Sequence, residues 1–165
     1  MNRHVVATLL IVAIGGCETL KKDEPRASSS HQHIIITPDK LQWKPAPEGL
    51  PKGAEMAVIE GDPKKSGFFA MRARMPAGYR IAPHWHPAWE RVTVLSGTMY
   101  LGEGETLDES KATALPAGSY TSMSPGMKHF AVFKQPTELL IATNGPWGVH
   151  YVNPSDDPRK QSAGK

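Results

Sequence analysis

Two histidines one residue apart are the first candidates for chemistry in this 165-residue chain. His84 and His86 lie between Pro83 and Pro87. Alternate residues of a β-strand face the same side, so both imidazoles of a short strand here point at one spot. Glu90 follows after a turn, at the head of an apolar run. Imidazole and carboxylate side chains together are typical ligands of first-row transition metals, and the spacing predicts a metal-binding strand and turn.

A second segment supplies a fourth candidate ligand. It contains a glycine turn at Gly118, a short apolar strand, a Pro-Gly turn ending at Gly126, and then His129. A strand bounded by such turns can bring a histidine to the edge of the same sheet. The alternative is that the histidine pair is incidental, as a lone His-x-His often is.

The two segments resemble the paired motifs of the cupin superfamily. The positions that match are Gly78, His84, His86, Glu90 and Gly97 in the first motif and Gly118, Gly126 and His129 in the second. Ser124 replaces the family's usual proline and Phe133 the asparagine of many members, and neither is a ligand position. The resemblance covers roughly residues 41–154. It implies an all-β fold, the double-stranded β-helix or jelly-roll cupin barrel.

The resemblance also implies a metal cofactor. It assigns one divalent transition metal to His84, His86, Glu90 and His129. Iron, manganese, nickel, copper and zinc all accept nitrogen and oxygen ligands, and the sequence does not choose among them. The alternative is a degenerate cupin that keeps the barrel without the metal.

The strand pattern agrees with this fold. The sequence predicts eight to ten short strands punctuated by glycine and proline, beginning with the β-branched run 34–37, and no long helical period. That pattern alone indicates a sandwich or barrel without separating a jelly roll from an immunoglobulin-like sandwich. Gly97 and Gly118 are expected to adopt positive φ at hairpin turns.

An apolar pocket wall is expected around the metal ligands. Alternation from His129 directs the side chains of Ala131 and Phe133 inward. Phe69 and Met71, on the strand at 68–75, are expected to line the opposite wall. For each of these residues, packing in the hydrophobic core is the alternative to contact with a substrate. The candidates for the pocket wall are Phe69, Met71, Tyr120, Met123, Ala131 and Phe133.

The amino terminus has the pattern of an export signal. A polar start precedes an apolar run at residues 5–14, which is shorter than the roughly twenty residues that span a bilayer. The run ends at Ile-Gly-Gly-Cys, which resembles the lipobox of bacterial lipoproteins and implies lipidation of Cys17, the only cysteine. Glu18, rather than aspartate, favours the outer over the inner membrane. An ordinary signal peptide or an uncleaved anchor is the alternative.

These signals divide the chain into four parts. We predict a signal peptide at 1–16, a flexible polar tether at 17–33, the barrel domain at 34–155 and an exposed tail at 156–165. The formal charge is only +3 and the basic residues are scattered, so nucleic acid is not an expected partner.

Two functions fit this chain. The first is an exported, periplasmic metal-dependent oxygenase acting on a small organic substrate, since no nucleophile, general base or phosphate loop is evident and the metal must supply the chemistry. The second is a non-catalytic, metal-dependent ligand-binding or sensing module tethered to the membrane, because the fold alone does not decide function. Expected partners are a small-molecule ligand, the membrane through Cys17, and a second copy of the chain in a homodimer.

Overall fold

The computed structural model describes residues 33–161. The predicted signal peptide, Cys17 and the tether up to residue 32 lie outside the described residues. Within residues 33–161, no helix has both the length and the apolar character needed to cross a membrane.

Two antiparallel sheets form the body of the domain. The strands are β1 (Lys44–Pro45), β2 (Glu55–Glu60), β3 (Gly67–Met75), β4 (Tyr79–Trp85), β5 (Glu90–Ser96), β6 (Thr98–Glu103), β7 (Thr113–Pro116), β8 (Tyr120–Met123), β9 (His129–Phe133), β10 (Thr137–Gly145) and β11 (His150–Tyr151). One sheet has the order β1-β2-β3-β10-β5-β8 and the other β11-β4-β9-β6-β7. A single helical turn, α1 (Pro158–Gln161), follows them. The architecture confirms the all-β, jelly-roll prediction.

The core lies between the sheets, and β3 shows how the sequence directs it there. Phe69, Met71 and Ala73 alternate with outward-facing arginines and are at most 2% exposed. Arg72 pairs with Glu138 of the adjacent β10, outside the core. The period of two in the sequence therefore separates the apolar face from the charged face, as predicted.

A bulge in β4 decides which way the histidines point. Between the pairs Ile81–Ala131 and His84–His129, β4 advances three residues while β9 advances two. The extra residue reverses the alternation, so that Ile81 and His84 both lie on the buried side. Pro83 lies within the bulge, where its missing N–H costs least. Without this irregularity His84 would face out.

Gly97 closes the turn between β5 and β6. Its φ is 78°, and that of Gly118 is 89°, which confirms the positive φ predicted at both glycines. A Cβ atom at Gly97 would lie 2.5 Å from the carbonyl oxygen of Pro136. The position therefore requires glycine for close approach as well as for its backbone angle.

Two expectations about the ends of the domain are corrected. The run 34–37 is not part of either sheet, and Ile35 is 73% exposed, because no neighbouring strand reaches it in a single chain. The tail is not wholly exposed in its described part. Asp157 is buried, and Arg159 donates hydrogen bonds to Asp157 and to the carbonyl oxygen of Val149, which fixes this segment to the barrel.

Candidate metal centre

The four candidate ligands come together inside the barrel. His84 lies near the end of β4, His86 just beyond it, Glu90 at the start of β5 and His129 at the start of β9. One nitrogen of each imidazole and one carboxylate oxygen lie within 4.8 Å of one another. The four side chains are between 1% and 8% exposed. Three imidazoles and one carboxylate in this arrangement can hold a metal ion.

Backbone carbonyl groups fix the tautomer of all three imidazoles. Each Nδ1 lies within hydrogen-bond distance of a carbonyl oxygen, which can only accept, so each Nδ1 carries the proton. The acceptors for His84, His86 and His129 are the carbonyl groups of Ala82, Gly148 and Met127, at 2.8, 2.7 and 3.0 Å. In the neutral ring the lone pair is then on Nε2, which is the atom that faces the centre. Metal-binding histidines are commonly oriented in this way.

The carboxylate of Glu90 faces two of these nitrogen atoms. Its Oε2 lies 3.2 Å from Nε2 of His86 and 3.1 Å from Nε2 of His129. Nε2 of His86 is buried and has no hydrogen-bond partner among the described residues. A carboxylate oxygen and an imidazole lone pair repel each other unless a proton or a cation lies between them. The residues present therefore fit a divalent cation at this point.

The electrostatics favour the ligand forms at two positions. Burial, helped by the neighbouring histidines, lowers the pKa of His84 to about 3, so its ring is neutral at neutral pH. Burial acts to raise the pKa of Glu90, but His86 and His129 outweigh it and hold this pKa well below its usual range. For His86, burial lowers the pKa, yet the Glu90 carboxylate outweighs this effect and the net pKa is raised.

The surroundings of the centre are apolar and tight. Trp147 stacks on His86, with ring centroids 4.4 Å apart and planes 11° from parallel. A cavity of about 30 Å³ lies against the four ligands. This volume is enough for about two water-sized spheres. We name it the inner cavity; its volume has room for an ion with small ligands, but not for an organic molecule.

Five of the six predicted pocket residues are buried and divide into three groups. Met123, Ala131 and Phe133 line the inner cavity. Phe69 is fully buried core against Trp147, and Met71 lines a second, larger cavity beside it.

Tyr120 is a correction among these residues. It is 61% exposed, although it was expected to face the pocket. Tyr120 and Met123 are an odd number of residues apart on β8, so alternation cannot turn both inward. Since Met123 is buried, Tyr120 faces outward.

Sequence reasoning missed the segment that orients His86. Trp147 stacks on the imidazole ring of His86. The carbonyl oxygen of Gly148 accepts a hydrogen bond from Nδ1 and so keeps the proton on that nitrogen. Both residues lie in the Gly-Pro-Trp-Gly segment at the end of β10. The sequence predicts only a turn for this segment. The contact spans 62 residues, and no local spacing indicates it.

The comparisons with known proteins agree with this fold. The family model described as the ChrR cupin-like domain matches residues 31–148, most of the chain. The chain belongs to the ChrR cupin-like domain family. No curated protein matches it.

Solved structures share the fold of this cupin-like domain. The polyketide cyclase RemF from Streptomyces resistomycificus has 18% identity and a TM-score of 0.65, covering 80% of this chain and 94% of its own. A putative acetylacetone dioxygenase from Methylibium petroleiphilum has 21% identity and a TM-score of 0.61, covering 81% and 90%. The acetylacetone dioxygenase from Acinetobacter johnsonii has 19% identity and a TM-score of 0.61, covering 82% and 87%. At these identities the likeness shows the fold.

We expect one divalent ion per chain, and we expect His86→Ala to weaken its binding by about a hundredfold or more, because a ligand atom is lost. Glu90→Gln should be milder, since it keeps an oxygen and loses the charge. His150→Ala is the matched control, because His150 stacks on Trp85 outside the group. Elemental analysis of untagged protein and isothermal titration measure these effects.

The same titration has a predicted pH dependence. A proton competes with the ion for Nε2 of His86, whose pKa is raised above the usual 6.5. Affinity should therefore fall as the pH drops, beginning above pH 6.5, and binding should release protons. Occupancy that is unchanged in His86→Ala, or affinity that is flat from pH 8 to pH 5.5, would contradict the assignment.

Proposed function

We propose that this cupin-like domain is a metal-dependent oxygenase that acts on a small organic substrate. The main observation behind the proposal is that three Nε2 lone pairs and one carboxylate are directed at one buried point. One carboxylate leaves a divalent ion with net positive charge. Four protein ligands leave it with room for small ligands.

The protein's own groups prepare the site for such chemistry. A redox-active ion bound there would supply dioxygen activation. Glu90 provides negative charge without a proton, and the carbonyl groups of Ala82, Gly148 and Met127 prevent the imidazoles from rotating. The apolar walls exclude bulk water, which strengthens electrostatic interactions inside and limits side reactions.

The structural neighbours support the reaction class without deciding it. Two of them are named as acetylacetone dioxygenases and one as a polyketide cyclase. Different reactions therefore occur on this fold, and the ligand set of this chain together with those two names favours an oxygenase.

Oxygen uptake tests the proposal. The full chain, loaded separately with iron, manganese, nickel, copper or zinc, is mixed with acetylacetone and a panel of small carboxylic acids in an oxygen-electrode cell. We expect uptake with at least one redox-active ion, none with zinc, and loss of uptake in His86→Ala but not in His150→Ala. Protein that binds one ion yet consumes no oxygen with any member of the panel would contradict an oxygenase.

That negative result is the outcome expected of the second candidate, a non-catalytic metal-dependent ligand-binding or sensing module. The inner cavity limits both candidates, because about 30 Å³ around the ligands admits neither an organic substrate nor an organic ligand unless a wall moves. An oxygenase therefore requires access from outside the inner cavity.

We also propose that the protein is exported and held at a membrane surface, in the periplasm and on the outer membrane, by lipid on Cys17. The apolar run that ends at the single cysteine supports this. Cys17→Ser should release the protein from the membrane fraction or block its processing, and the measurement is fractionation with mass spectrometry of the amino-terminal peptide. Wild-type protein that is fully soluble and carries no lipid would contradict the anchor.

A homodimer is a further part of the proposal. Ile34, Ile35 and Ile36 are 46%, 73% and 39% exposed, and such an exposed apolar segment promotes self-association unless it is covered. We expect a dimer in sedimentation experiments and dissociation in the variant Ile35→Lys. A monomer at tens of micromolar with the segment intact would argue against the dimer.

A further inference from the structure

A second cavity lies beside the metal centre. Its volume is about 380 Å³, and we name it the outer cavity. It is bounded by β1, β2, the loop that precedes β2, residues 63–64 after β2, Met71 of β3, the turn at 147–149 and Arg159. Pockets of about 300–1,000 Å³ are typical of small-molecule sites, so this cavity has the size that the inner cavity lacks.

The two cavities share a wall that is one layer of side chains thick. Leu50, Met56, Trp147 and Val149 line both of them. The indole N–H of Trp147 is buried and has no acceptor in the described part of the chain. No hydrogen bond from this group holds the wall closed. A shift of the wall would join the outer cavity to the metal ligands.

Every charged residue that lines the outer cavity is a cation: Lys44, Lys64 and Arg159. Arg159 is already paired with Asp157. Lys44 and Lys64 are exposed, and neither ammonium group has an ion-pair partner within 4 Å among residues 33–161. Asp62, the acidic residue nearest to Lys64 in sequence, pairs with Lys65 instead. Two cations are therefore available to a ligand in the cavity.

The remainder of the lining is mainly apolar. Pro45, Pro47, Val58 and Met71 line it together with the residues of the shared wall. Val58 is 47% exposed, which is a large value for an aliphatic residue facing a cavity. A ligand that fits this surface has a charged end for the lysines and an apolar body for the wall.

We propose that the outer cavity recognises a small organic anion, a carboxylate with an apolar body, and directs that body through the shared wall toward the metal centre. The inference rests on the proposed function, since it names the substrate class for the same site. The lysines hold the carboxylate at the cavity mouth, away from the metal. The end of the molecule opposite the carboxylate is the part presented to the metal ligands.

Binding of hexanoate tests the inference, with hexanamide as the uncharged molecule of the same size. The full chain, treated with a chelator to remove metal, is titrated with each probe by calorimetry or NMR. We expect saturable binding of hexanoate and binding of hexanamide that is weaker by about tenfold, because the lysines act on the charge.

Lysine variants locate the interaction. Lys44→Met and Lys64→Met keep an unbranched apolar stem and remove the charge, so each should weaken hexanoate binding about threefold to tenfold and leave hexanamide unchanged. Lys111→Met is the control, since Lys111 lies in the 109–111 turn outside the outer cavity. Thermal melting confirms that each variant is folded.

Three outcomes would overturn the inference: no saturable binding of hexanoate, equal affinities for the two probes, or hexanoate affinity that is unaffected by both lysine changes. Hexanoate that binds only after metal is restored would also overturn it, because the carboxylate would then be a metal ligand. These results are independent of oxygen uptake. Failure of the oxygenase proposal would leave the anion site intact, and failure of the anion site would leave the metal chemistry intact.

Discussion

The site depends on one electrostatic constraint. The buried carboxylate of Glu90 lies between two imidazoles whose Nδ1 protons are already donated to backbone carbonyl groups. A buried anion is costly unless a partner compensates it. His86 and His129 approach its oxygen through Nε2, while their Nδ1 atoms donate to backbone carbonyl groups. The arrangement is stable with an added proton or with a cation at the centre. A divalent ion satisfies three nitrogen atoms and the carboxylate at once, which a single proton cannot do.

The rest of the fold serves this constraint. The bulge in β4 turns His84 inward opposite His129, and the strand pairing places the two rings 4.3 Å apart. The turn after β10 then returns across the barrel, where Trp147 covers His86 and the carbonyl oxygen of Gly148 accepts a hydrogen bond from its Nδ1. Elements that are distant in sequence therefore determine the orientation of these rings. The same turn forms part of the wall toward the outer cavity, so it connects metal binding with access to the site.

Much of this was predictable from local patterns. Alternation in β3, glycine at the hairpin turns and histidine spacing each depend on residues close together in the chain, and the structure agrees with the sequence there. Two of the exceptions have a common physical cause, which is that tertiary contacts decide them. Ile35 lies outside the sheets because a single chain offers it no partner strand, and Trp147 reaches His86 across 60 residues of intervening sequence. Tyr120 differs, because it faces out by alternation once β8 turns Met123 inward.

The most direct test of the account is anomalous diffraction from crystals of the metal-loaded protein, recorded at the absorption edge of the bound metal. The account predicts one peak per chain, about 2.0–2.2 Å from Nε2 of His84, His86 and His129 and from one carboxylate oxygen of Glu90. Each Nδ1 should still contact its backbone carbonyl group. A peak located elsewhere, or a site in which these four side chains remain without an ion at saturating metal, would contradict it.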